Sequence, residues 1–314
     1  MTYNTITLRE LIGDMLNEVA STRDDIYVID SDLAKSTTTN KFETLHKEHF
    51  VETGIAEQNA MSIAAGIARE GKVPFYVNFA MFVSGTAWTQ LRQICYAKEN
   101  VKLIATHPGM DGGYDGATHH ANEDIALMRV LPNLRVLVPS NPDELRAAIN
   151  LALEYDGPVY IRCVRDSVPN LPATGELAFG KSTIVKDLGD DFALVYEGTS
   201  ADLAFRSFEE ATKQGLKGKL VNVFSIKPFD TETILSLAQS VGKIVTVENH
   251  SVLGGLGSLV AETISSLDHH GKLYRVGVND VFTESGPSKD IKEKYGLNVE
   301  NVLNYIKKRG CPKT

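Results

Sequence analysis

A single carboxylate opens an otherwise apolar run. In VETGIAEQNA, residues 51–60, Glu57 stands just before AMSIAAGIA, a stretch of almost wholly small or apolar residues. A charge at the head of a buried helix is costly unless something pairs with it. Glu57 is therefore a candidate for hydrogen-bonding or proton chemistry. Set about three residues into a helix that begins at Gly54, it could equally favour the helix dipole and bond back to the backbone. Against that reading, Gly54 has no side chain to complete a capping box, and the surroundings are too apolar for an ordinary surface cap.

A second gathering of polar groups lies in THPGMDGGYDGATHHANED, residues 106–124, with four glycines, three histidines and several carboxylates. Three readings are open: a surface loop capping the next helix through Asn122, a metal site from His107, Asp115 and His119, or a contact for a polar substrate. The spacing matches no common metal-ligand pattern, and the adjacent His119 and His120 tend to point apart. The mixture of donors and acceptors suits a polar substrate better. Phe79 and Phe82, in NFAMFVSG, are core aromatics by default. Their place at a strand end, beside the small Ala80, Ser84 and Gly85, also fits a platform for a flat ring.

The frame that holds these residues is an alternation of strand and helix. DDIYVID (24–30), HFVET (49–53), KVPFYVNF (72–79), VKLIATH (101–107), LRVLVP (134–139) and PVYIRC (158–163) read as strands. MSIAAGIARE, TAWTQLRQICYAK, NEDIALMRVL and NPDELRAAINLALEY read as helices, the last opened by Asn141 and Asp143 around Pro142. This order implies a parallel sheet covered on both faces. Ligands of such sheets bind beyond the carboxyl ends of the strands. Asp30, Ser31, Asp32, Glu57, Phe79, Phe82, His107, Arg162 and Arg165 all follow strands and should converge on that edge.

A stretch with two prolines and two glycines, VPNLPATGELAFGKS, interrupts the pattern before FALVYEG, KLVNVFSI, KIVTVEN and LYRVGV resume it. The chain thus divides into an α/β domain over 1–170, a linker over 171–186 and a second, smaller α/β domain over 187–314. In the second, ENHSVLGGLGSLVAE approaches a dinucleotide fingerprint but misses its glycine spacing, and a tight strand-to-helix turn explains it better.

With 314 residues, 43% of them hydrophobic, the chain exceeds the size of a single core, which agrees with two domains. A net charge of -8 and the lack of a basic stripe argue against nucleic acid as the main partner. Three scattered cysteines suggest a reducing compartment, with Cys95 and Cys163 as core residues. The N-terminus shows no signal-peptide pattern, and no apolar run is long enough to span a bilayer. A cytoplasmic protein is expected.

Taken together and in order, GIAEQNA, NFAMFVSG, HPGMDGGYDGATHH, RDSVPNLP and ENHSVLGGLG resemble the C-terminal portion of the transketolase family across essentially the whole chain. The resemblance implies a thiamine-diphosphate pyrimidine-binding domain followed by the family's C-terminal domain, in an enzyme of carbohydrate metabolism of the pentose phosphate kind. It makes Glu57 the glutamate that hydrogen-bonds N1' of the aminopyrimidine, favouring the imino tautomer whose 4'-nitrogen deprotonates the thiazolium C2. An apolar pocket favours sharing a proton with that ring nitrogen over a free carboxylate. It further implies that Phe82 stacks on the pyrimidine with Phe79 beside it, and that Asp32 adds a cofactor contact. Asp115 and His119 would meet sugar hydroxyls near the reacting carbonyl, His119 as a catalytic group. Arg9, Ser36, His107 and Arg165 would hold the substrate's terminal phosphate, a reasonable clamp of donors.

One departure matters. The family's Gly-Asp-Gly motif with its later asparagine, which holds magnesium and diphosphate, is absent, and the chain begins where that domain would end. The resemblance is therefore to the second subunit of a split transketolase. The N-terminal diphosphate-binding subunit would hold the Mg2+ ion and share thiamine diphosphate, in a heterotetramer of two copies of each chain. The apolar helices around residues 57–68 and 84–97 would form the interface. The expected reaction moves a two-carbon ketol unit between phosphosugars. A split transketolase for a branched or sulfonated sugar, and the β subunit of a 2-oxoacid dehydrogenase, are the alternatives. DGATHH and RDSVP favour transketolase over the latter.

Overall fold

The computed structural model describes residues 4–171, 173 and 175–308; Cys311 lies outside the described residues. In chain order the strands are β1 (Thr5–Thr7), β2 (Ile26–Asp30), β3 (Phe50–Glu52), β4 (Val73–Phe79), β5 (Lys102–Thr106), β6 (Arg135–Leu137), β7 (Val159–Cys163) and β8 (Ser167–Pro169). There follow β9 (Thr183–Asp187), β10 (Phe192–Glu197), β11 (Gly218–Val223), β12 (Ser225–Lys227), β13 (Lys243–Ser251) and β14 (Lys272–Val278).

Seven strands form the first sheet in the order β12-β6-β7-β5-β4-β2-β3. All its pairings are parallel except that of β12 with β6. Every residue of β4, β5 and β7 is buried, which is why these strands read as largely apolar runs rather than alternating ones. The second sheet is β14-β13-β10-β11-β9, parallel but for the edge strand β9. The fold is thus two α/β units, each a mostly parallel sheet flanked by helices.

The boundary between them is less clean than the composition suggests. The stretch read as a linker supplies most of β9, and β12, far along the second unit, completes the edge of the first sheet. Lys227 on β12 donates to the carbonyls of Arg129 and Leu131. One apolar cluster includes Tyr76 and Leu103 of the first unit with Val195 and Val221 of the second, so the core is continuous across the junction. Cys95 and Cys163 are buried and free, and burial pushes the Cys95 thiol up to about 12.

A short ladder places the N-terminal segment. β1 and β8 run antiparallel with Thr7 opposite Ser167. Arg9 follows Thr7 by two residues and Arg165 precedes Ser167 by two, so the ladder carries the two guanidiniums to one place. Among the described residues, no helix is long and apolar enough to cross a membrane.

Candidate active site

Glu57 is the first residue of the helix Glu57–Arg69, whose N-cap is Ala56 with no side-chain bond. The expected start at Gly54 is therefore three residues early. Gly54 adopts φ +65 and its carbonyl accepts from Ala56 N at 2.7 Å, a tight turn that delays the helix. The Glu57 side chain is half-buried, and no hydrogen bond or ion pair with a described residue engages its carboxylate. Nearby, Tyr76 is held by Ser31 Oγ at 3.1 Å and Asn78 Nδ2 at 2.8 Å. Burial first, and the Glu57 charge among lesser contributions, push the Tyr76 phenol well above its ordinary range.

The same helix is tied by Gln58 Nε2 to Thr86 O at 3.2 Å, at the end of a π-helical turn over Phe82–Thr86. Such turns reset side-chain direction within a helix and recur at functional sites. Here the turn starts at Phe82, and the Phe82 and Phe79 rings lie nearly parallel, 6.0 Å apart at 10°. His107 leans on Phe79 at 3.8 Å, and His119 stands edge-on to Phe82 at 5.3 Å. Four predicted residues thus share one cluster. His107 adopts φ +55 at the end of β5, bonds Thr106 Oγ1 through Nδ1 at 2.9 Å, and is 4% exposed. Burial, then the charges of Arg165 and Arg9, drive its pKa down to about 3.

Arg9 and Arg165 line one cleft of ≈ 360 Å³, with Thr7 and Ser288 on its walls. Arg9 Nη1 donates to the backbone carbonyl of Ser36 at 2.6 Å, while Arg9 Nε is buried with no partner among the described residues. The contact from Ser36 is through its carbonyl, not its hydroxyl. Asp32 is exposed at φ 61, its N–H donating to Glu52 at 2.9 Å. Asp115 is exposed at the end of the turn Met110–Asp115. Among the described residues no hydrogen bond joins Asp115 to His119 or Asp32 to Glu57. His119 instead pairs with Thr118 Oγ1 at 2.9 Å.

Several expectations change here. Arg162 does not reach the sheet edge. It is fully buried, donating to Asp124 at 2.7 and 2.9 Å, Glu197 at 3.1 Å and Thr199 at 2.9 Å across the junction of the two units. Its side chain follows strand alternation into the interior, whereas Arg165 lies beyond the strand end. Asn122 does not cap the next helix; its amide donates to Thr283 at 3.2 Å. Most apolar residues of the helices Glu57–Arg69 and Trp88–Ala97 pack into the chain's own core, while Gln58, Ser62, Arg92 and Gln93 lie outside and Tyr96 is 88% exposed. In the glycine-rich turn after β13, Glu248 accepts from Leu256 N at 2.7 Å and Gly257 N at 3.0 Å. The protein's own Glu248 thus engages the N–H groups at the start of that helix.

One further group carries no local signal in the sequence. Asp111 accepts from Arg165 N at 3.0 Å, Asn249 Nδ2 at 2.8 Å and Lys292 Nζ at 2.7 Å. The Asp166 N–H donates to it as well, at 3.2 Å; these partners come from both units, and only their contact reveals the link.

The chain matches two family models: the transketolase pyrimidine-binding domain over residues 4–170 and the transketolase C-terminal domain over residues 180–302. It is 39% identical over 303 residues to a putative transketolase C-terminal section of Methanocaldococcus jannaschii, covering 95% of each chain. It is 36% identical to a 6-deoxy-6-sulfo-D-fructose transketolase subunit of Clostridium sp. strain MSTE9, covering 94% of this chain and 92% of that one. A solved split-gene transketolase, described as an inactive β4 tetramer, superposes with a TM-score of 0.85 at 40% identity, covering 96% and 98% of the two chains. This chain belongs to the transketolase family and carries its pyrimidine-binding and C-terminal domains.

Proposed function

We propose that this chain is the pyrimidine-binding subunit of a split transketolase that transfers a two-carbon ketol unit from a ketose phosphate to an aldose phosphate. A partner with the diphosphate-binding domain would complete the enzyme, holding Mg2+ and the diphosphate, in a heterotetramer of two copies of each chain. Transketolase-family enzymes use thiamine diphosphate, and the residues present suit that group. Glu57 offers a half-buried carboxylate free of internal bonds, and Phe79 and Phe82 offer parallel faces. When bound, the cofactor supplies a nucleophilic carbon and an electron sink for breaking a bond beside a carbonyl.

The chain's own part would be to bind, orient and move protons. Glu57 would hold the pyrimidine N1' by a hydrogen bond, with Phe82 stacking on the ring, Phe79 behind it and Asp32 as an outer contact. His119, edge-on to Phe82, would exchange the proton of the sugar hydroxyl beside the reacting carbon, and Asp115 would fix a neighbouring hydroxyl. His107 would contribute as a neutral imidazole, since its pKa is near 3. Arg9 and Arg165 would clamp the terminal phosphate, with the Ser36 carbonyl aiming Arg9.

The observation that carries this reading is the cleft lined by Arg9 and Arg165, where a buried guanidinium nitrogen of Arg9 has no partner among the described residues and both charges act on His107, which touches Phe79. A sulfonated sugar is the second reading, favoured by the likeness to the sulfofructose transketolase subunit. A sulfonate is also a tetrahedral oxyanion and would suit the same arginines. Product analysis of the reconstituted complex, with phosphorylated, sulfonated and neutral ketoses and aldoses, tests the proposal. Ketol transfer between phosphosugars is expected. Decarboxylation of pyruvate without ketol transfer would instead make the chain a 2-oxoacid dehydrogenase β subunit.

A further inference from the structure

The loop after β5 carries the proposed substrate contacts His107, Asp115 and His119, and it begins in a conformation that residues other than glycine avoid. His107 stands at φ +55 and Gly109 at φ +57. A left-handed residue that bears a β-carbon persists only where its surroundings hold it. Here the second unit does the holding. Asn249, 1% exposed near the end of β13, accepts from Met110 N at 3.0 Å through Oδ1. Its Nδ2 donates to Asp111 Oδ1 at 2.8 Å and to Pro108 O at 3.4 Å. The side chain thus spans Gly109, so closely that a β-carbon there would fall 2.2 Å from the Asn249 carbonyl oxygen and 2.5 Å from its Oδ1.

Asn249 is itself pinned to the buried charge network. Its N–H donates to Glu197 Oε1 at 3.0 Å, and its carbonyl accepts from Arg162 Nη2 at 2.9 Å. The same strand end grips the chain further on. Ser251 N donates to the Asn122 carbonyl at 2.6 Å, and Ala126 N donates to His250 Nε2 at 3.3 Å. The Asn249 amide fits only one way round. Met110 offers a donor and Asp111 an acceptor, so the reversed amide would set oxygen against carboxylate and NH2 against N–H. An aspartate of the same shape would keep the bond from Met110 and turn its second oxygen on Asp111, a costly pairing in a buried place.

We propose, on the phosphosugar reading above, that Asn249 is a positioning residue for substrate binding. Through the turn at 108–111 it sets where His107 stands against Phe79 and how the loop presents His119.

Steady-state kinetics of the assembled enzyme and imidazole NMR of the full chain test this, at a temperature where each variant is folded. Asn249→Asp should raise KM for a phosphosugar about tenfold, change kcat less, and shift the His107 imidazole signals. Combining it with Asp111→Asn again sets one donor against one acceptor. Arg165 N and Asp166 N bond the other Asp111 oxygen, and Lys292 keeps Asp166 at 2.8 Å. The pair should therefore recover most of both losses. Asn249→Ser, which adds no charge, should move KM and the signals the same way by a smaller amount, so the outcome does not hang on the aspartate variant folding. Asn249→Ser with a lower unfolding temperature but wild-type KM and wild-type His107 signals would overturn the proposal. So would a paired variant no better than Asn249→Asp. A wild-type complex that does not use phosphosugars would end the functional reading instead, and the His107 signals would still decide the placement: shifted in the single variants they support it, unchanged they sink it.

Discussion

The Lys292 ammonium, on a helix of the second unit, lies 2.7 Å from the Asp111 carboxylate on the loop after β5, and the backbone N–H of Arg165 hangs on that same carboxylate at 3.0 Å. Lys292 also meets Asp166 at 2.8 Å. Burial alone would lower the lysine's pKa, but the two carboxylates outweigh it and hold it above the ordinary range. The C-terminal domain thereby fixes the segment that carries one arm of the proposed phosphate clamp. Lys292→Met should leave two neighbouring carboxylates without their cation, at about 3 kcal/mol in stability. It should also raise KM for a phosphosugar more than it lowers kcat. Thermal unfolding and steady-state kinetics of the assembled enzyme check both.

His107 gives a pH dependence of known sign. Its pKa is lowered from the ordinary 6.5 to about 3 by burial and then by Arg165 and Arg9. Between those values the unfolded chain binds a proton that the folded chain refuses. Its contribution is therefore intact above pH 6.5 and is lost as pH falls toward 3, on the order of 1.4 kcal/mol per pH unit at most. Denaturant titrations should show this slope in the wild type and a shallower one in His107→Gln. An imidazole seen by NMR to titrate near 6.5 in the folded protein would contradict the assignment.

The cleft makes a prediction about substrates. Arg9→Gln or Arg165→Gln should raise KM for a phosphorylated aldose about tenfold or more, because a charge-assisted donor pair to phosphate is lost. An unphosphorylated aldose should be affected little. Parallel kinetics with the two acceptors separate a clamp from a structural role.

Arg162, three residues from Arg165, should behave differently. Its guanidinium neutralises Asp124 and Glu197 in a fully buried network. Arg162→Met leaves both carboxylates uncompensated and should destabilise the fold by about 3–5 kcal/mol. Equilibrium unfolding measures this, with the loss the same whether or not phosphosugar is present.

The contrast between those two arginines marks what could be read in advance. The parallel sheets were legible because β4, β5 and β7 are mostly apolar, and the helix after Asn141 because its cap and proline are local signals; Asn141 Oδ1 does accept from Glu144 N at 3.0 Å. The gathering of Phe79, Phe82 and His107 followed from strand ends on one sheet edge, whereas His119 beside Phe82 was expected only from the family resemblance. Arg162 lies within β7 and Arg165 two residues past its end, a difference the apolar run did not mark, since it did not show where the strand stops. Nor did it show Asp111 with Lys292, 181 residues apart in sequence. The delayed start of the Glu57 helix depends on the left-handed Gly54, which apolar periodicity does not register.

Glu57 carries the central claim, and ketol transfer by the complex assembled with its diphosphate-binding partner measures it most directly. Glu57→Ala should still assemble, by size-exclusion chromatography, yet lose ketol transfer roughly 10²-fold or more. An assembled Glu57→Ala complex that turns over phosphosugars at the wild-type rate would contradict the account.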